Sequence, residues 1–133
     1  MVYDINWLAV FVSATAGYIV GAIWYMPGVF GNAWMAALGK TPEQLGSPVK
    51  ALSITAVTTL LSALVLALVF SAFDVQTVFD AIVISILMSV GFYGLTLYSD
   101  SLFCGWGSKL ILIQASYRVV MFTVIGVVLS LFI

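Results

Sequence analysis

Four stretches of this chain, residues 5–26, 49–73, 78–98 and 110–133, are each apolar for roughly 20 residues or more. At about 1.5 Å of rise per residue, a helix of that length crosses a ~30 Å hydrocarbon core. The expected fold is therefore all-α, a polytopic transmembrane bundle of four helices forming one domain over residues 1–133. Composition bears on the medium: 7% of the residues are charged and 64% hydrophobic, against about 25% charged in an ordinary soluble domain. So few charges cannot cover a water-facing surface, and the lipid bilayer is the expected partner of most of it.

Local signals set the ends of the spans. The first stops before Pro27, whose ring disfavours helix in the residue preceding it. Ser47 followed by Pro48 reads as a cap and first-turn proline for the second, and Thr77 with Asp80 resembles a capping box for the third. Residues 74–77 leave room only for a tight turn, so the second and third spans are expected to pack as an antiparallel pair. Residues 99–109 read as a modest polar loop. The longest connection holds Phe30, Ala33, Trp34, Ala37 and Leu38 at helical spacing, which predicts a short interfacial helix over about 28–39. A second turn, Thr41-Pro42-Glu43-Gln44, carries its own capping signature. The first stretch lacks a basic leader and has Asp4 in its place, so it is expected to remain as a span rather than be cleaved.

Orientation follows from the lysines. Lys40 and Lys50 flank the first connection and Lys109 ends the third, while Asp4, Asp74 and Asp80 fall at the opposite ends of the spans. The positive-inside tendency then puts the first and third connections in the cytoplasm and both termini outside it. Trp7 would sit at the outer interface, and Trp24, Tyr25, Trp34, Tyr98 and Trp106 at the inner one, where amphipathic rings favour headgroup depth.

In lipid, close helix contact relies on small residues and interhelical hydrogen bonds. Ala9, Ser13, Gly17 and Gly21 recur every four residues in the first span, and Gly126 and Ser130 do so in the fourth. The second span presents Thr55, Thr59 and Ser62, and the third Ser85, Ser89 and Thr96. These stripes are expected to pack helices, within one chain or between copies; the sharper alternative is a polar path. Aligned on itself at an offset of 73, the chain places Gly21, Tyr25 and Phe30 on Gly94, Tyr98 and Phe103, and past the loops Lys50 and Ile54 fall on Lys109 and Ile113. Read as a duplication, this gives two parallel-repeat helical hairpins; read as chance, it reflects the ease with which apolar segments match.

Arg118 departs from the pattern. It lies nine residues beyond Lys109, or ~13 Å along a helix, at a depth where insertion of an arginine costs roughly 2.5 kcal/mol or more and a partner or water is usual. Gln114 is one turn away on the same face, Tyr117 adjoins it, Tyr18 and Tyr93 should reach similar depth, and Asp100 is the nearest candidate counter-ion. Two readings follow: Arg118 locks the bundle by pairing with Asp100, tyrosine hydroxyls or carbonyls, or it lines a cytoplasm-facing cavity that binds an anionic solute, ion or lipid headgroup.

Other chemistries find no residues. There is no histidine, a single cysteine at Cys104, no Gly-rich phosphate loop, and no basic run for nucleic acid. No catalytic residue, metal ligand or cofactor is expected, and the chain is expected not to be an enzyme.

The run Gly21-Ala-Ile-Trp24-Tyr25-Met-Pro27-Gly-Val-Phe30-Gly31-Asn-Ala-Trp34-Met resembles the signature of a bacterial family catalogued as domain of unknown function 1761. The resemblance extends over essentially the whole chain. It departs at Met26, where Ser or Thr is common before the proline. It implies four spans and an inner-membrane location, and brings no activity or cofactor. Taken physically, the run is an interface device: Trp24 and Tyr25 anchor the span, Pro27 stops it, Gly28 and Gly31 permit the turn, and Phe30 and Trp34 seat the next helix or cap a substrate path. The leading expectation is a non-enzymatic multi-pass protein that self-associates or docks into a membrane complex; the alternative is a small transporter or channel centred on Arg118.

Overall fold

The structure, a computed structural model, describes residues 4–133. Helix α1 spans Trp7–Trp24 and is capped by Asn6, whose side chain accepts from the Ala9 N–H at 3.1 Å. Met26 is extended before Pro27, as the proline ring requires. A single π-helical turn, Pro27–Gly31, follows, in which the Met26 carbonyl accepts from the N–H of both Val29 (2.9 Å) and Gly31 (3.0 Å). It leads into α2, Asn32–Leu38, the expected short helix, which ends at Gly39 with φ 72°. Helix α3, Pro42–Leu45, is held by the reciprocal Thr41/Gln44 box.

The second span is α4, Val49–Ala72. Its start differs slightly from expectation: Pro48 takes the cap position, and Ser47 Oγ accepts from the Val49 N–H at 3.5 Å. The third span opens with α5, Val78–Met88, where Thr77 accepts from the Asp80 N–H at 3.1 Å and donates to its carboxylate at 2.6 Å. A π-helical segment, Ser89–Gly94, interrupts it before α6, Leu95–Cys104. The fourth span is α7, Ser108–Ser130.

The third span is therefore helical over Val78–Cys104, six residues beyond the predicted 78–98, and the expected loop at 99–109 shrinks to 105–107. The polar letters that read as loop are accommodated in the helix. Ser101 Oγ donates back to the Tyr98 carbonyl at 2.5 Å, which satisfies the hydroxyl without leaving the helix, and Asp100 stays exposed. Gly105, with φ 69°, ends the helix instead.

Packing corrects the expected pairing of the second and third spans. They share the short turn but touch little beyond it; α7 is central, packed along α1 on one side and α5 on the other, with α4 laid against α1. Small residues decide this. A Cβ on Gly17 would lie 2.6 Å from Ile125 Cγ1, and one on Gly21 would lie 2.6 Å from the Tyr117 hydroxyl. A Cβ on Gly126 would overlap Ser85 Oγ and come within 3.2 Å of Phe70 Cζ. Thus α7 is held from both sides where side chains are missing, a contact that dispersion alone can hold in lipid. Ala9, Ser13 and Gly17 are buried on this seam within one chain, while Ser130 is half-buried. The Ser/Thr stripes are not continuous faces: Thr59, Ser85 and Ser89 are buried, Thr55 and Ser62 half-buried, and Thr96 exposed.

Outward-facing positions are apolar, with Leu61 54%, Phe79 72% and Leu112 65% exposed, as suits four helices long and apolar enough to span a membrane. Asp4, Asp74, Gln76 and the C-terminal Ile133 line one hollow at one end of the bundle, whereas Lys50 and Lys109 stand in the first turns of α4 and α7 at the other.

A candidate anion site at Arg118

Tyr117 and Arg118 sit side by side near the middle of α7 and face different surroundings. Tyr117 is buried, received by the space left at Gly21. Tyr25 meets its ring edge-on at 5.1 Å between centroids, and Trp24 lies 6.4 Å away. Trp24 in turn stacks on Phe30 at 4.5 Å, and Tyr25 meets Trp34 edge-on at 5.3 Å. Pro27 ends α1, and Gly31 lets the chain fold back so tightly that a Cβ there would overlap the Tyr25 carbonyl oxygen and lie 2.9 Å from Met26 C. The 21–34 run is thus one aromatic cluster closed around Tyr117, worth roughly 0.5–1.5 kcal/mol per ring pair beyond burial. Read from sequence it is an interface anchor; in the folded chain it braces the neighbour of Arg118.

Arg118 is half-buried. Its guanidinium carbon lies 4.9 Å from the Tyr117 ring centroid and 5.5 Å from that of Tyr93. Its one hydrogen bond among the described residues goes from Nη1 to Met121 Sδ at 3.5 Å, a weak acceptor. Tyr93 is brought there by the π-helical segment Ser89–Gly94, and such interruptions of a span are frequent at functional sites. In front of the guanidinium is a groove of about 540 Å³, floored by Arg118 and Phe122 of α7. Thr58, Leu61, Ser62 and Val65 of α4 form one wall, and Met88, Phe92 and Tyr93 of the third span the other. It occupies the gap left where those two spans fail to pack.

The residues singled out from sequence are brought together only in part. Arg118, Tyr117 and Tyr93 converge. Gln114 is half-buried one turn away and does not line the groove. Tyr18 is turned elsewhere, its hydroxyl donating to the Leu52 carbonyl at 3.3 Å and tying α1 to α4. Asp100 is exposed on α6 and forms no ion pair with Arg118 among the described residues. Sequence reasoning did not anticipate Met121, Met88, Phe92 or Phe122, whose apolar side chains carry no signal separating a groove lining from a lipid-facing surface. The glycines at 91 and 94, flanking Tyr93, were the available hint of an irregular helix.

Chemically, the arrangement offers a delocalised cation whose fork of N–H donors matches a carboxylate or phosphate, set in a mostly apolar groove. Among the described residues no three of His, Cys, Asp and Glu are grouped to hold a metal ion.

No curated protein and no solved structure matches the chain. Residues 8–130, from the second residue of α1 to the last of α7, match the family described as protein of unknown function (DUF1761), and the chain belongs to that family.

Proposed function

We propose that the chain is a non-enzymatic membrane protein that binds an anionic ligand at Arg118 in the groove between α4 and the third span, as a small transporter or carrier. One observation carries this reading: Arg118 lines an open groove, and its guanidinium has two aromatic rings and a thioether as neighbours and no carboxylate among the described residues. An arginine at this depth costs roughly 2.5 kcal/mol or more to insert. Cation–π contacts return about 0.5–2 kcal/mol, and a bound anion would supply the charge-assisted hydrogen bonds that the protein does not. Lys40, Lys50 and Lys109 favour an orientation with their end of the bundle in the cytoplasm and both termini outside, in a bacterial inner membrane.

Self-association, or docking into a larger complex, through the small-residue stripes has less support, because Ala9, Ser13, Gly17 and Gly126 are buried within a single chain. The test is saturable binding of a panel of anions, from acetate and phosphate to anionic lipids, to protein in zwitterionic nanodiscs. Arg118→Ala should lose binding of at least one of them by tenfold or more while keeping the wild-type elution and helical content. If Arg118→Ala alters stability alone and no anion binds the wild type saturably, the arginine is structural and this reading is wrong.

A further inference from the structure

We infer that the anion is the carboxylate of a long-chain amphiphile, a fatty-acid-like molecule that enters the groove sideways from the hydrocarbon. The inference rests on the anion-binding reading above and narrows it.

The groove lies at mid-span on every element that lines it. Arg118 is ten residues past Ser108 at the start of α7, ~15 Å along the axis and so close to the middle of a ~30 Å hydrocarbon core. Its walls are built by Leu61 and Val65 on one side and Met88 and Phe92 on the other. Leu61 is 54% and Phe92 72% exposed, so the mouth faces the side of the bundle. Toward the acidic end the two walls close, since Phe70 and Ser85 both come against Gly126. A hydrated ion would have to shed its water against this lining, with no ring of polar groups to replace it. An acyl chain would meet surroundings like those it leaves.

Polar capacity is small and of one sign. Thr58 donates its hydroxyl to the Thr55 carbonyl at 3.1 Å, which leaves Arg118, Tyr93 and Ser62 as the groups able to meet a head group. One cation neutralises one negative charge; a dianionic phosphate would keep a second charge unpaired in low dielectric. A phospholipid phosphate is held at the surface by its glycerol and head, and reaching Arg118 would draw both past the apolar walls. A carboxylate matches the guanidinium fork by two parallel hydrogen bonds and carries little else that is polar. The volume of about 540 Å³ falls in the range of small-molecule sites, roughly 300–1,000 Å³.

The test uses full-length protein in phosphatidylcholine nanodiscs, with empty nanodiscs as background, and radiolabelled palmitate, its uncharged methyl ester and acetate as probes. Palmitate should be retained saturably, with at least tenfold weaker retention by Arg118→Ala and by Ser62→Trp, which fills the groove and leaves the guanidinium in place. The methyl ester should show no saturable retention, and acetate should neither bind nor compete. Should Arg118→Ala elute abnormally, Ser62→Trp decides. Equal retention of palmitate by wild type and Ser62→Trp, or of ester and acid, overturns the inference, because the groove would then be ordinary lipid-facing surface. Arg118-dependent binding of acetate or phosphate without palmitate overturns it too, but leaves the anion-binding reading standing. No Arg118-dependent binding of any anion removes both.

Discussion

The seam between α1 and α7 and the gap between α4 and the third span are made from the same material to opposite effect. If the chain is two hairpins of the same orientation, the two places are equivalent, for each joins the first helix of one hairpin to the second helix of the other. The seam is closed because Gly17 and Gly21 leave space that Ile125 and Tyr117 occupy. The gap stays open because the facing positions carry Leu61, Val65, Met88 and Phe92, and Gly94, which aligns with Gly21 at the offset of 73, meets nothing nearer than its own Ser89 carbonyl at 3.7 Å. Hydrophobicity does not distinguish the two, since in lipid it drives neither. Side-chain size does.

The sharpest way to break the comparison is to enlarge a small residue where α7 is met from its other side, at the end of the gap that α4 and α5 close. Gly126→Leu should cost ~3 kcal/mol or more, by overpacking against Ser85 and Phe70, seen as a lower midpoint of thermal unfolding in detergent; an unchanged midpoint would mean that α5 and α7 are not in contact there. Next is a matched pair. Gly21→Ala should cost roughly 1–3 kcal/mol, because its methyl meets the Tyr117 hydroxyl, whereas Gly94→Ala should be neutral or gain up to about 1 kcal/mol from helix propensity. Equal effects would mean that the two glycines are packed alike. Arg118→Met should leave stability unchanged or raise it by up to about 2.5 kcal/mol, since it relieves a costly insertion and breaks no ion pair among the described residues; a large loss would show that the arginine locks the bundle. Smallest is Asp100→Asn, expected within about 0.5 kcal/mol of wild type in unfolding, because the carboxylate is exposed and apart from Arg118.

How much of this could be read from sequence depended on which force was at work. Hydropathy reports the medium, and the four spans follow from it; the caps of α3 at Thr41 and of the third span at Thr77 follow from local hydrogen bonding. Small residues mark where a helix will be approached closely, so the 9–21 stripe found its seam, but nothing in the stripe names the partner, and α7 rather than a second copy fills it. A lone arginine in a span announces itself by its cost. Its surroundings do not, because the Met121 and Tyr93 contacts depend on tertiary packing and on a π-helical segment that shifts the helix register at Ser89–Gly94. Asp100 was the plausible partner by proximity along the chain. It lost that role when the third span continued as helix to Cys104 and left it on the exposed side.

Arg118 is the sole arginine of the chain, so a guanidinium-labelled sample gives one signal. Solid-state NMR of the protein in bilayers, with ¹⁵N in arginine and ¹³C in the aspartate carboxyls, reads directly whether a carboxylate lies against that group. The account predicts no ¹⁵N–¹³C coupling to aspartate, and coupling to the carboxyl carbon of added ¹³C-labelled palmitate. Strong coupling to an aspartate, unchanged by palmitate, would show an internal ion pair and contradict it.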